Sequence, residues 1–230
     1  MSGAAQSVDL DGRRVLVCVG GSIAALKAGD VITLLRRRGA EVRVAMTPSA
    51  TRFVTPLSLQ SLSGHPVVTD LFDEGPRRRE ARGAAQAAGG AAAGHGMEHL
   101  DLSEWAELQL IVAASANLIA RLALGLADDA VTTTALASRA PLLIAPAMET
   151  AMWEHPATQG HVDTLRGRAA VLVGPVAGRL ASGREGTGRM AEPAEIVDAG
   201  AALLKVRGAP TSLPGSLPRG LLGTPDARKR

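Results

Sequence analysis

Glycine and a small hydroxyl residue follow the first long apolar run of the sequence, where a strand would turn into a helix. The run "RRVLVCV" ends in Gly20 and Gly21, and Ser22 comes next. Glycine lets a backbone approach a ligand closely, and free N–H groups at a helix start attract anions such as phosphate. The motif is neither G-x-G-x-x-G nor a P-loop with its lysine, so neither a dinucleotide nor a nucleoside triphosphate is predicted. The alternative is that the turn only caps a helix.

Two further apolar runs end in the same way. Thr47 and Ser49 follow "EVRVAM", and Ser115 and Asn117 follow "LQLIVAA". Helix capping alone explains each pair taken separately. Because ligands of parallel α/β sheets bind beyond the carboxyl ends of the strands, the three turns together predict a pocket for a phosphate and a ring.

A fourth run, "PLLIAPAM", leads into "ETAMWEHP" and places Ala147, Met148, Met152 and Trp153 near the same edge. Their spacing alone favours a helix that packs these groups inward. None of the five histidines has metal-ligand spacing to another histidine, a cysteine or a carboxylate cluster, so no zinc site is predicted. His99 enters the amphipathic segment "HLDLSEW" as either a base or a surface residue, and the residues alone favour the surface.

A glycine-rich segment lies between the last predicted strand and the last predicted helix. Its sequence is "AGRLASGREGTGRM", with Ser182 near the centre and few residues suited to a core. We expect a loop that either covers a ligand or only connects two elements.

Strand and helix patterns alternate along the chain. Apolar runs such as "RRVLVCV" alternate with amphipathic segments such as "SIAALKAGDVITLLRRRG", which Ser22 caps and Gly39 ends. This alternation predicts an α/β fold, a doubly wound, Rossmann-like and flavodoxin-like parallel sheet in a three-layer sandwich. The predicted domain covers residues 13–205, with a flexible N-terminus at 1–12, a mobile Ala/Gly-rich insertion at 74–97 and a disordered tail at 206–230.

The composition limits the classes of function. The net charge is only +3, and much of the basic excess lies in "PRRRE" and "DARKR", so nucleic-acid binding is not favoured. No apolar run reaches the ~18 residues that span a bilayer, and the first residues lack a signal-peptide pattern. Cys18 is the single cysteine, which excludes an internal disulfide and predicts a reducing, cytoplasmic location.

Six motifs occur in the order found in a known family. They are "GGSIAA", "MTPSATRFVTPLSLQSLSG", "HLDLSEWAELQLIVAASAN", "GLADDAVT", "PAMETAMWEHP" and "RLASGREGTGRMAEP". Over residues 13–205, without the insertion, the chain resembles the homo-oligomeric flavin-containing cysteine decarboxylases. That family includes phosphopantothenoylcysteine decarboxylase and the peptidyl-cysteine decarboxylases of lantibiotic pathways. The resemblance implies FMN as cofactor, bound between the subunits of a homotrimer that often assembles into dodecamers.

The resemblance also implies roles for individual residues. His99 matches the family's essential histidine, which lies beside the flavin and the substrate cysteine. Glu149, Met152 and Phe53 would contact the substrate. The residues implied in FMN binding are Gly20, Gly21, Ser22, Thr47, Ser49, Ser115, Ala116, Asn117, Ala147 and Met148.

Two positions depart from the family pattern. In "PAMETAMW", Glu149 stands where the family has an asparagine that holds the substrate carboxylate, and we expect it to pair with Arg184 or Arg189 or to be protonated. Ser182 occupies the position of a cysteine in the flap that closes over the substrate, which makes it a candidate catalytic residue.

The family reaction oxidises a cysteinyl thiol with FMN to a thioaldehyde, after which the carboxylate leaves and an enethiol remains. Phosphopantothenoylcysteine decarboxylase then uses the flap cysteine to reduce the enethiol, whereas the peptidyl enzymes lack that cysteine and stop. Ser182 therefore favours oxidative decarboxylation of a C-terminal cysteine of a ribosomal precursor peptide to an aminoenethiol. The alternatives are phosphopantothenoylcysteine decarboxylase of coenzyme A biosynthesis and an FMN-binding subunit without decarboxylase activity, which a repulsive Glu149 would suit.

Overall fold

The computed structural model describes residues 10–71 and 98–207. The predicted insertion at 74–97 and residues 208–230 of the predicted tail lie outside the described residues. Residues 1–9 of the predicted flexible N-terminus also lie outside the described residues, whereas Leu10 is buried and its N–H donates to the carbonyl of Arg38 at 3.0 Å, so the domain includes residues before the predicted boundary at 13. Among the described residues, no helix combines the length and apolarity needed to cross a membrane.

A parallel sheet forms the middle of the molecule. Its spatial order is β3-β2-β1-β4-β5-β6, so the chain leaves the central strand β1 toward one edge and returns to build the other. The strands are β1 (Arg14–Val19), β2 (Glu41–Met46), β3 (Val67–Val68), β4 (Leu108–Ala114), β5 (Leu142–Pro146) and β6 (Val171–Leu172). The reversal between β1 and β4 opens a crevice beyond their carboxyl ends, where ligands of this architecture bind.

Helices cover both faces of the sheet, as the predicted three-layer α/β sandwich requires. One face carries α1 (Ala28–Arg37), α2 (Pro56–Ser63) and α8 (Pro193–Arg207). The other face carries α3 (Glu98–Trp105), α4 (Ala116–Leu124), α5 (Ala130–Ala137) and α7 (Pro156–Gly167). The four-residue helix α6 (Thr150–Trp153) follows the loop after β5.

The apolar strands divide their side chains between these two layers. In β1, Val15, Val17 and Val19 belong to the core under α1, whereas Leu16 and Cys18 belong to the core on the opposite face. Alternate residues of a strand point to opposite faces, so a strand covered on both sides must be apolar throughout. The continuous run "RVLVCV" is therefore what a central parallel strand needs.

The structure corrects several local predictions. The helix predicted from Ser22 begins as a 3-10 turn (Ile23–Lys27) before α1, and the second predicted helix is a 3-10 turn (Ala50–Arg52) followed by α2. The last predicted strand is reduced to β6, and β3 was missed. The predicted glycine-rich loop is an antiparallel hairpin of β7 (Val176–Arg179) and β8 (Glu185–Arg189). Helix α8 continues to Arg207, two residues into the predicted tail.

Gly160 in α7 is a position where the fold does not use the conformational freedom of glycine. A Cβ atom placed there meets no heavy atom within 4 Å. We expect Gly160→Ala to raise the free energy of unfolding by about 1 kcal/mol and Tm by a few degrees, because alanine restricts the unfolded chain. Thermal unfolding followed by circular dichroism measures the shift.

Gly200 in α8 provides the matched control. A Cβ atom at Gly200 would stand 3.0 Å from Cδ2 of Leu108, so packing strain should cancel the gain in Gly200→Ala. Equal stabilisation by both substitutions would contradict this account of the two helices.

Candidate functional site

A cavity with a volume of about 510 Å³ lies at the carboxyl ends of the strands. The turn after β1, the loop after β5 and the β7–β8 hairpin surround it. The structure brings many of the predicted site residues together in its wall. These are Gly21, Ser22, Phe53, Ser115, Ala147, Met148, Glu149 and Met152.

A smaller cavity of about 160 Å³ adjoins the first, because Gly21 and Ser115 line both. Predicted residues in its wall also include Thr47, Ser49 and Asn117. The predicted residues Gly20 and Ala116 line neither of these two cavities. The three hydroxyl-bearing turns therefore converge on one region, as their positions after neighbouring strands predicted.

The hydroxyl groups at these turns also act as helix caps. Ser22 Oγ accepts a hydrogen bond from the N–H of Ala24 at 3.2 Å, and Ser115 Oγ accepts one from Leu118 at 3.3 Å. Thr47 caps the 3-10 turn after β2 in the same manner. A hydroxyl that accepts one bond keeps its own O–H to donate, so capping and ligand binding are compatible roles.

Glycine is required where the turn after β1 passes its neighbours. A Cβ atom at Gly20 would collide with the carbonyl oxygen of Ala113, and one at Gly21 would collide with Cβ of Ser49. These collisions are with atoms that cannot swing aside, so the turn is pressed closely against the ends of β4 and β2. Gly20 thereby shapes the site from behind rather than lining it.

The end of β4 has an unusual backbone next to these cavities. Ala113 has a φ of 58°, a left-handed conformation that costs a non-glycine residue about 1–2 kcal/mol. The register between β4 and β5 shifts between Ile111 and Ala114. The N–H of Ala113 donates to Sδ of Met190 at 3.3 Å, which joins the strand to the end of the hairpin. Strained backbone of this kind is concentrated at functional sites, and here it lies two residues before Ser115.

The hairpin is docked on the loop after β5 by backbone contacts. The N–H of Met148 donates to the carbonyl of Gly188 at 3.0 Å. A Cβ atom at Gly188 would overlap the carbonyl oxygen of Met148, and one at Gly186 would overlap Oγ1 of Thr150. Gly186 and Gly188, which made this segment resemble a loop, are therefore packing residues. The segment covers the cavity and does not only connect two elements.

The two residues that depart from the family pattern contact each other. Ser182, in the turn of the hairpin, donates from Oγ to Oε2 of Glu149 at 3.0 Å. The predicted partners of Glu149 were Arg184 and Arg189, but Arg189 instead pairs with Glu192 at 3.0 Å. Glu149 precedes α6, so this bond joins the tip of the hairpin to the start of that helix.

His99 lies in α3, but its side chain is outside the described residues. Its predicted place beside the flavin and the substrate therefore stays a prediction. Cys18 is unsuited to chemistry because burial, and secondarily the charge of Asp129, raise the pKa of its thiol far above neutrality. Within residues 10–71 and 98–207, no group of three histidine, cysteine or acidic side chains is placed to hold a metal ion.

Basic residues also line the cavities, and of these the sequence pattern singled out only Arg189, as a partner of Glu149. Lys27, Arg179 and Arg189 line the larger cavity, and Arg121 lines the smaller one. Arg121 donates to Asp129 Oδ2 at 2.7 Å and also pairs with Asp128. Arg179 and Arg189 each directly follow a glycine of the hairpin, whereas Lys27 and Arg121 lie further along the segments that follow their turns.

Comparison with known proteins identifies the family. The sequence matches the Flavoprotein family over residues 4–205. The chain belongs to this family. In Escherichia coli (strain K12), the coenzyme A biosynthesis bifunctional protein CoaBC is 42% identical to this flavoprotein over 191 residues, which are 83% of the chain and 43% of CoaBC. The flavoprotein thus spans less than half the length of that relative.

Two solved structures share the fold of this flavoprotein. The FMN-dependent cysteine decarboxylase SpaF is 30% identical, with a TM-score of 0.68 over 85% of the chain and 99% of SpaF. A cysteine-to-serine mutant of PPC (phosphopantothenoylcysteine) decarboxylase, in complex with pantothenoylaminoethenethiol, is 32% identical, with a TM-score of 0.68 over 86% of the chain and 98% of that protein. The predicted family and the predicted α/β fold are confirmed.

The residues around the cavities fit a flavin mononucleotide. The close approach of the turn at Gly21 leaves backbone rather than side chain facing the space between the two cavities. Ser115 and the N-terminus of α4 provide hydroxyl and N–H donors suited to a phosphate. Phe53, Met148 and Met152 provide the apolar wall that a planar ring requires.

Proposed function

We propose that this protein is an FMN-dependent decarboxylase of phosphopantothenoylcysteine. The observation that carries the proposal is the larger cavity, where the turn after β1, the loop after β5 and the hairpin surround one space. Ser182 alone favours a peptidyl substrate. The 42% identity to CoaBC and the 32% identity to PPC decarboxylase support the alternative substrate instead.

FMN is the cofactor, and when bound it supplies the two-electron oxidation of the cysteinyl thiol and the later return of those electrons. Ser49, Ser115 and the N-terminus of α4 would hold its phosphate, and Met148 with Phe53 would contact its ring. The protein's own task is to orient the cysteinyl group and to manage its protons. His99 remains the proposed base for that task.

Glu149 is compatible with a carboxylate substrate because of its contact with Ser182. The hydroxyl of Ser182 donates to one carboxylate oxygen of Glu149, which disperses part of its negative charge. The adjoining walls at Met148 and Met152 are apolar. A substrate carboxylate held against them is poorly solvated, which favours its departure as neutral carbon dioxide.

A homotrimer is the proposed functional unit, and a dodecamer is the proposed higher assembly. Four large apolar side chains line the larger cavity and are exposed in the single chain. Exposed apolar groups at the rim of a pocket are typical of surfaces that a second subunit covers. The four exposed side chains at this cavity are those of Ile23, Leu26, Phe53 and Met152. Light scattering after size-exclusion chromatography gives the molar mass that tests this assembly.

Mass spectrometry of the products tests the reaction. The flavin-loaded protein is incubated with phosphopantothenoylcysteine and, separately, with a peptide ending in cysteine, and flavin-free protein serves as control. We expect the small substrate to lose carbon dioxide. Loss of carbon dioxide alone indicates the complete reaction, and loss of carbon dioxide with two hydrogens indicates a decarboxylase that stops at the enethiol.

Two outcomes would overturn the proposal. Turnover of the peptide without turnover of the small substrate would restore the peptidyl function that Ser182 first suggested. Absence of turnover with either substrate, in a protein that retains its flavin, would indicate an FMN-binding subunit without decarboxylase activity.

A further inference from the structure

The larger cavity has an excess of positively charged side chains that the proposed contacts with FMN and the cysteinyl group do not involve. Its wall contains three basic residues, Lys27, Arg179 and Arg189, against one acidic residue, Glu149. None of the three basic residues lines the smaller cavity, where the hydroxyl-bearing turns meet. This charge excess favours an anionic ligand in the larger cavity.

Two of these basic residues are held together by one carboxylate. Lys27 Nζ lies 3.0 Å from Oε2 of Glu192, and Arg189 Nη2 lies 3.0 Å from Oε1 of the same residue. Lys27 comes from the turn after β1 and Arg189 from β8, so Glu192 bridges two elements that line the cavity. The hydrogen bond and the charge of Lys27, and more weakly the charge of Arg189, lower the pKa of Glu192, which is therefore ionised at neutral pH.

Glu192 can be replaced by a stronger anion at small cost. Its side chain is half-exposed, and so are those of Lys27 and Arg189 to a similar degree. Ion pairs at such a surface contribute little to stability, because water and salt screen them. A phosphate monoester has more charge than a carboxylate and three acceptor oxygens, and an arginine guanidinium binds it in a bidentate manner.

We infer that Lys27 and Arg189 form a subsite for a phosphate monoester of the substrate, and that Glu192 holds the two cations in position until the substrate binds. This inference rests on the proposed function, since phosphopantothenoylcysteine carries such a group. FMN carries one too, but Thr47, Ser49 and Asn117 line only the smaller cavity, and Lys27 and Arg189 line only the larger one.

Equilibrium binding tests the subsite without requiring turnover. S-methyl phosphopantothenoylcysteine and its dephosphorylated counterpart have a blocked thiol that cannot be oxidised, and calorimetry gives the Kd of each for the FMN-loaded protein. We expect the wild type to prefer the phosphorylated compound. Lys27→Met and Arg189→Met should each reduce that preference by about tenfold, the loss expected of one charge-assisted hydrogen bond.

Glu192→Gln distinguishes a subsite from a purely structural contact. Removing the competing carboxylate should increase the preference for the phosphorylated compound several-fold, whereas a structural clasp predicts weaker binding of both compounds. The matched control is Arg166→Met on α7, where Arg166 pairs only with the neighbouring Asp163 among the ion pairs of the described residues. That control should leave both Kd values unchanged.

The outcomes separate this inference from the proposed function. Unchanged preference in both Lys27→Met and Arg189→Met would overturn the subsite alone. Weaker FMN binding relative to riboflavin in those variants, with no change in the substrate preference, would assign the two cations to the cofactor phosphate instead. Failure of the wild type to bind either compound would overturn the proposed substrate together with the subsite.

Discussion

Gly188→Ala is expected to undock the hairpin and to release FMN. The Cβ atom of alanine would occupy the position of the carbonyl oxygen of Met148, and that residue's N–H donates to the Gly188 carbonyl. Because both atoms belong to the backbone, neither can turn aside, and β8 must move off the loop after β5. We expect a loss of about 3 kcal/mol in the free energy of unfolding, with a fall in Tm of about 10 °C. Thermal unfolding and the visible absorbance of bound flavin measure the two effects.

Gly183→Ala is the matched control in the same hairpin. Gly183 has a φ of 85°, but a Cβ atom there meets no heavy atom within 4 Å. The substitution introduces only conformational strain, about 1 kcal/mol, and should leave the flavin bound. If Gly188→Ala retained its flavin as fully as Gly183→Ala does, the hairpin would not be part of the cofactor site.

The parallel sheet was predictable because its strands are covered on both faces. A continuous apolar run such as "RVLVCV" is typical of a strand that is buried on both faces. Ser22 and Gly39 delimit the first helical region, as expected. The break before α2 also had a signal. Pro56 restricts the preceding residue to an extended conformation, and Thr55 does adopt a φ of −84° and a ψ of 144°, so the helix begins at Pro56.

The β7–β8 hairpin was not predictable from local sequence. The segment "EGTGR" lacks apolar alternation, and Thr187 is its only β-branched residue. It is extended because Gly186 and Gly188 fit against Thr150 and Met148, which lie far from them in the sequence. Docking against distant residues therefore determines the structure of this segment. The local sequence, taken alone, indicates a loop.

The same distinction applies to the candidate site. The turns that end in Ser22, Ser49 and Ser115 could be predicted to meet, because strand order alone brings them to one edge. The contact between Ser182 and Glu149 could not, since 33 positions separate the two residues and each departs from the pattern that describes its motif. The same holds for the ion pair between Lys27 and Glu192, which are 165 positions apart.

Ser182→Cys is expected to increase the rate at which the reduced thiol product forms from phosphopantothenoylcysteine by about 10²-fold, the range typical of a positioned general acid. A thiol has a pKa near ~8.5, whereas an alcohol is a far weaker acid. At position 182 the thiol would replace a hydroxyl that donates to the carboxylate of Glu149. The negative charge of that carboxylate opposes thiolate formation, so the cysteine should keep its proton at neutral pH and have it available for the substrate.

Rapid quenching followed by mass spectrometry gives the ratio of enethiol to reduced thiol in a single turnover. Ser61→Cys is the matched control, because Ser61 is an exposed residue of α2 whose hydroxyl donates only to the carbonyl of Leu57 among the hydrogen bonds of the described residues. That variant should give the wild-type ratio. An unchanged ratio in Ser182→Cys, with the wild type already forming the reduced thiol, would mean that another group supplies the proton.

Glu149→Gln completes the experiment, because residues in direct contact should have non-additive effects. Glutamine keeps an oxygen that accepts from Ser182 but removes the charge, so the single variant should mainly lower KM by relieving repulsion of the substrate carboxylate. In the double variant Ser182→Cys/Glu149→Gln, the thiol loses the neighbouring anion that kept it protonated, and its pKa should fall toward that of a free cysteine. The gain in reduced thiol should then decline at a lower pH than in Ser182→Cys alone. Coincident pH profiles for the two variants would show that Glu149 does not control the proton at position 182.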